Sequence, residues 1–141
     1  MKNLARSYGL YLGWIISLVA LGGSLYFSNV LNLPPCVLCW YQRICMYPLV
    51  LILAVGLLRK DQKVYLYVLP FSIIGFVIAL YHNLLYYNII PESLAPCTAG
   101  VSCTTRLIEW FGFITIPLLS LIAFTLITVI MFIYRYYQKQ D

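Results

Sequence analysis

Charge is what this sequence has least of. Asp and Glu number four, Lys and Arg nine, and together they make up 9% of the 141 residues. A water-soluble globule carries about 25% charged residues, so this chain cannot cover a solvent-facing surface with polar groups. With hydrophobic residues at 63% and a mean hydropathy of +0.91, the same scarcity excludes disorder, a collagen-like fibre and a small secreted disulfide knot. There is also no internal repeat, low-complexity tract or linker, and the chain is read as a single domain over residues 1–141. What remains is an integral membrane protein. The net charge of +5 then reports membrane orientation rather than affinity for nucleic acid, and no nucleic-acid partner is expected.

Four apolar stretches are long enough to cross a bilayer, which takes roughly 20 residues per helix. They run over about 8–27, 36–58, 64–87 and 111–134, and the first and fourth hold no Asp, Glu, Lys or Arg. The expected fold class is an all-α membrane protein, a four-transmembrane-helix bundle with two extracytoplasmic loops. Lys2, Arg6, Arg59, Lys60, Lys63, Arg135 and Lys139, seven of the nine basic residues, fall on one side of such a bundle. The positive-inside rule makes that side cytoplasmic, with both termini there. The first stretch has a longer apolar run than a signal-peptide core and no A-x-A-like site after it, so it is read as a retained helix. Pro48, Pro70 and Pro117 are expected inside spans, and Tyr26, Trp40, Tyr86, Tyr87 and Trp110 in an aromatic belt at the outer boundary.

This topology organises the cysteines. Cys36 and Cys39 stand where the first outer loop enters the second helix, and Cys97 and Cys103 stand in the second outer loop. Only Cys45 falls inside a span, where it reads as a buried, inert thiol. Four of five thiols thus face the compartment in which disulfides form. Cys36-Val-Leu-Cys39 places two sulfurs at i and i+3 on one helix face. Pro34 and Pro35 before it favour a helix N-terminus, where the helix dipole stabilises a thiolate. The C-x-x-C spacing also occurs in zinc sites. Such a site would need the second pair within coordination distance and a reason to sit on the oxidising side, so no metal site is expected.

Arg43 extends the Cys36–Cys39 stripe to i+7, about 6 Å deeper than Cys39. Its alternatives are a head-group anchor and a cation beside a Cys39 thiolate or an anionic oxygen, and the shared stripe favours the second. His82, about 7 Å short of the outer end of the third helix, reads equally as a satisfied core histidine and as a donor to a bound ligand. Gly100 makes a Cys97–Cys103 disulfide sterically reasonable, either as a loop staple or, beside a second C-x-x-C pair, as a thiol-exchange centre. Arg106, Glu109 and Trp110 are expected on a short helix lying on the membrane surface.

The stretches CVLCWYQR over 36–43 and WFGFITIP over 110–117, with four helices and a second outer cysteine pair, resemble the DsbB family of bacterial membrane thiol–quinone oxidoreductases. The short chain and the C-x5-C spacing are most similar to its BdbC-type members. The resemblance implies that Cys97 and Cys103 accept electrons from a reduced DsbA-like (BdbD-like) thioredoxin-fold thiol oxidase, Cys97 being attacked first and Cys103 passing to Cys36. It further implies that Cys39 faces a membrane quinone, menaquinone or ubiquinone, with Arg43 and His82 as its binding residues. The expected setting is the bacterial cell membrane, and the expected role is disulfide formation in exported proteins. Two rivals stand beside this one. A VKOR-like quinone reductase would carry its C-x-x-C near a late span, and a non-catalytic subunit would merely have its outer loops stapled by two disulfides.

Overall fold

The computed structural model describes residues 2–32, 34–91, 93, 109–110 and 114–140. Cys97, Cys103 and Arg106 lie outside the described residues, so the pairing and roles expected of them are untouched by the geometry below. Four helices dominate: α1 (Lys2–Asn29), α2 (Val37–Arg59), α3 (Tyr65–Tyr86) and α4 (Ile116–Lys139). All four are long and apolar enough to cross a membrane. Each packs on its neighbours in the chain, and α1 closes the ring against α4. Apolar side chains such as Leu51, Val55, Val77 and Phe132 remain on the outer surface, where lipid rather than water would meet them.

The up-and-down order brings the basic clusters to one end. There Arg6 of α1 lies 6.0 Å from the Tyr134 ring of α4, and Tyr65 of α3 packs against Tyr134 at 6.2 Å. The turn between α2 and α3 is set at the same end by Lys60, which adopts a left-handed conformation (φ 53°) and donates its N–H to the last carbonyls of α2. Asp61 continues the turn by accepting from the Lys63 N–H.

The core runs along the bundle axis through Leu49 and Leu53, Val68, and Phe124, Ile127 and Met131. Its tightest approach is between α3 and α4. A methyl group at Gly75 would occupy the place of the Phe124 ring, so glycine here is what lets the two helices close. Asn83 ties the same pair at the other end of the bundle, its Nδ2 donating to Ala79 O and Pro117 O, both at 2.8 Å. Cys45 lies in the core, as its position inside a span implied.

Two local expectations are corrected. The fourth helix begins at Ile116 rather than near residue 111, because Thr115 caps it by accepting from the Leu118 N–H and Pro117 occupies its first turn. Pro117 therefore frees no carbonyl inside a span, unlike Pro48 and Pro70. In place of a surface helix at Glu109 and Trp110, the backbone is extended and pairs antiparallel with Ile114–Thr115.

Candidate functional site

The site is built at the end of the bundle away from the basic clusters. The extended backbone of Cys36 (φ −74°, ψ 172°) makes it the N-cap of α2, directly after Pro34 and Pro35. One helical turn then brings Cys39 Sγ to 3.2 Å from Cys36 Sγ, both as free thiols. The pair is sheltered, Cys36 being 6% exposed in a small apolar cluster with Leu38 and Leu85. Cys36 stands just outside the span that starts at Val37. The hydrogen bond between the two sulfurs, aided by the His82 ring, holds the Cys36 thiol well below the usual thiol range against the opposing effect of burial.

His82 comes from α3, 2% exposed, with Nε2 3.7 Å from Cys36 Sγ. Its Nδ1 lies 3.2 Å from Gln42 Nε2. Gln42 is thus a site residue the sequence reading missed. A buried amide between Cys39 and Arg43 on an apolar span was the available signal, but its partner on α3 needs the fold to be seen. The histidine is a partner of the dithiol rather than an isolated core residue.

Arg43, also buried, does not snorkel. It donates Nε to Ser24 Oγ and Nη2 to Ser24 O, both at 2.8 Å, and lies 5.4 Å from the Trp40 ring. Ser24 is the second missed residue, one of two serines in the apolar stretch 8–27. Cys39, Gln42 and Arg43 together form the polar end of a cavity of about 480 Å³ between α1, α2 and α4. Apart from Ser24 and Ser120 the remaining wall is apolar, with Val19 and Phe27 from α1 and Leu119 and Ala123 from α4. His82 is not on that wall; Gln42 is. Of the two residues expected to bind a ligand, Arg43 lies on this wall, whereas the His82 ring is turned toward Cys36.

A four-span membrane protein with a sheltered dithiol beside an apolar cavity belongs among proteins that handle thiols at the membrane. Comparison with known proteins narrows this. The family model described as "Disulfide bond formation protein DsbB" matches residues 6–134. The chain is 50% identical over 133 residues to "Disulfide bond formation protein C" of Bacillus subtilis (strain 168), covering 93% of this chain and 94% of that one. It is 45% identical over 128 residues to "Probable disulfide formation protein C 2" of Bacillus cereus (strain ATCC 10987 / NRS 248), with 91% of each chain covered. It is 50% identical over 114 residues to "Probable disulfide formation protein C" of Halalkalibacterium halodurans, covering 81% of this chain and 83% of that one. No solved structure matches. The chain belongs to the DsbB family of disulfide bond formation proteins. It is a multi-pass bacterial membrane protein with disulfide oxidoreductase activity.

Proposed function

We propose that this protein is a thiol–quinone oxidoreductase that reoxidises an extracytoplasmic, DsbA-like thioredoxin-fold thiol oxidase and so sustains disulfide formation in exported proteins. The observation that carries the reading is the position of Cys39, which contacts Cys36 on one side and borders the apolar cavity on the other. One sulfur thus bridges a thiol-exchange pair and a compartment suited to a lipid-soluble oxidant. The termini are cytoplasmic and the Cys36–Cys39 end extracytoplasmic, by the basic residues gathered at the opposite end.

The cavity fits a quinone head group. Its volume falls in the range of small-molecule sites, about 300–1,000 Å³, and its walls are apolar with a few convergent polar groups. Arg43 and Gln42 would hold the ring oxygens, and the quinone when bound takes up two electrons and two protons. The rest is the work of the chain's own residues. The loop pair Cys97 and Cys103 exchanges with the partner's dithiol, forming its disulfide and itself becoming reduced. Cys103 then passes to Cys36, which breaks the Cys36–Cys39 bond and leaves Cys39 as the thiolate at the cavity wall. Ser24 fixes Arg43, so the guanidinium charge is already in place where negative charge develops and need not reorganise. Cys97 then attacks Cys103, re-forming the loop disulfide and releasing Cys36, and the Cys36–Cys39 dithiol closes to its disulfide as its two electrons and two protons would pass to the bound quinone.

The test is purified protein with quinone and a reduced thioredoxin-fold thiol oxidase, followed by quinol formation. Wild type should turn over, and Cys39→Ser should abolish quinol formation while leaving helix content intact. Quinone consumption by Cys39→Ser at the wild-type rate would overturn the reading.

A further inference from the structure

Cys36 Sγ, Cys39 Sγ and His82 Nε2 converge from two helices, all within 4.8 Å of one another. We propose that in the reduced protein these three atoms bind a d10 divalent cation, Zn²⁺ being the natural example, and that the bound ion withholds the dithiol from oxidation. The second clause rests on the function proposed above; the binding itself does not.

The three atoms lie close to the spacing of three corners of a tetrahedron. Zinc–sulfur bonds of about 2.3 Å and zinc–nitrogen bonds of about 2.0–2.1 Å set tetrahedral ligand atoms roughly 3.5–3.8 Å apart. The sulfurs are 3.2 Å apart and Cys36 Sγ is 3.7 Å from His82 Nε2, so small side-chain rotations open the place for an ion. The sequence suggested a zinc site only if the loop cysteines approached. The structure supplies a different third ligand, the α3 histidine.

The surroundings complete the site. A metal-bound imidazole needs an acceptor for its other N–H, which fixes the ring. Gln42 lies 3.2 Å from Nδ1, and its amide, turned to present Oε1, accepts that proton. The fourth corner is left open on the side where Cys39 borders the cavity, the pattern of zinc sites that keep a water or a small ligand. Binding displaces the protons the two thiols still hold and moves no electrons. A Cys36–Cys39 disulfide offers no thiolate, so oxidation and metal binding exclude one another.

The full chain carrying Cys45→Ala, Cys97→Ser and Cys103→Ser, reduced and in detergent without oxygen, isolates these two thiols. Titration with Cd²⁺, read by thiolate-to-metal charge-transfer absorption, should saturate at one ion per chain, with release of thiol protons to the medium. Zn²⁺ should displace Cd²⁺ from the same site. Oxidation to the disulfide should abolish binding. His82→Ala and Gln42→Leu should each weaken it about 10–100-fold, the scale of lost ligand support, with helix content checked by circular dichroism. Failure of Cd²⁺ to bind the reduced chain, or equal affinity in folded His82→Ala, overturns the site. In wild type, one equivalent of Zn²⁺ should halt quinol formation until a chelator is added. Undiminished turnover with zinc bound overturns the withholding. Because the titration uses no quinone, its failure is separate from failure of the proposed activity.

Discussion

Arg43 of α2 clasps Ser24 of α1 through two hydrogen bonds of 2.8 Å, one to the hydroxyl and one to the backbone carbonyl. A guanidinium this deep in a span is costly, and these bonds both satisfy it and aim it at the cavity that Cys39 borders. Arg43→Ala should therefore raise the KM for quinone about tenfold or more, the scale of a lost hydrogen bond to a charged group. Thiol exchange with the protein partner should be preserved. Ser24→Ala keeps the carbonyl acceptor and should have a smaller effect in the same direction. Steady-state kinetics with quinone as the varied substrate checks both, and an unchanged KM in Arg43→Ala would make the residue a structural clasp only.

The packing of Gly75 against Phe124 predicts a stability effect far from the thiols. Gly75→Ala directs a methyl into a fully buried ring and should cost about 1–3 kcal/mol, the usual penalty of overpacking. Phe124→Leu alone should also destabilise, but the double variant should recover part of the loss, because the two sites are in contact. Thermal unfolding in detergent measures all three. Additive losses would show that the methyl at position 75 and the Phe124 ring do not compete for the same space.

The proposed chemistry gives Cys45 no part. It is buried in the core on α2 beside residues such as Met46 and Leu49, away from Cys36 and Cys39. Cys45→Ala should retain quinone reduction, with a stability loss of about 1 kcal/mol, typical of point substitutions. Loss of activity in a folded Cys45→Ala protein would show that a fifth sulfur takes part.

How much of this could be read from the chain alone depends on the range of the interaction. The four helices were legible because apolar runs of span length have few alternatives, and the Cys36 N-cap because Pro34 and Pro35 precede it. The start of α4 was misjudged because apolar residues continue upstream of residue 116, while the decision is made by one Thr115 hydroxyl. The clasp between Ser24 and Arg43 spans 19 positions and the contact between Gln42 and His82 spans 40. No periodicity within one helix reveals either, since each depends on how two helices are rotated against each other. For the same reason the depth of His82 was readable but the direction of its ring was not.

That direction separates the roles of His82 and Arg43. His82 Nε2 faces Cys36, and its Nδ1 is held by Gln42, whose amide in the present orientation donates to Nδ1 and leaves the ring proton on Nε2, toward the sulfur. On the proposed function, the imidazole is placed to act on Cys36 when that sulfur exchanges with the loop pair, and the guanidinium to act at the cavity. His82→Phe should slow the thiol-exchange step about tenfold, the worth of one charge-assisted hydrogen bond, and leave the quinone KM near its wild-type value. Arg43→Ala should show the reverse. Single-turnover mixing with a pre-reduced thioredoxin-fold partner at saturating quinone isolates the first effect. Gln42→Leu, which removes the group that holds the ring, should reproduce the His82→Phe defect in part. If His82→Phe instead changed the quinone KM alone, the imidazole would have to turn away from Cys36 to the cavity wall during turnover, and the division of labour between the two residues would fail.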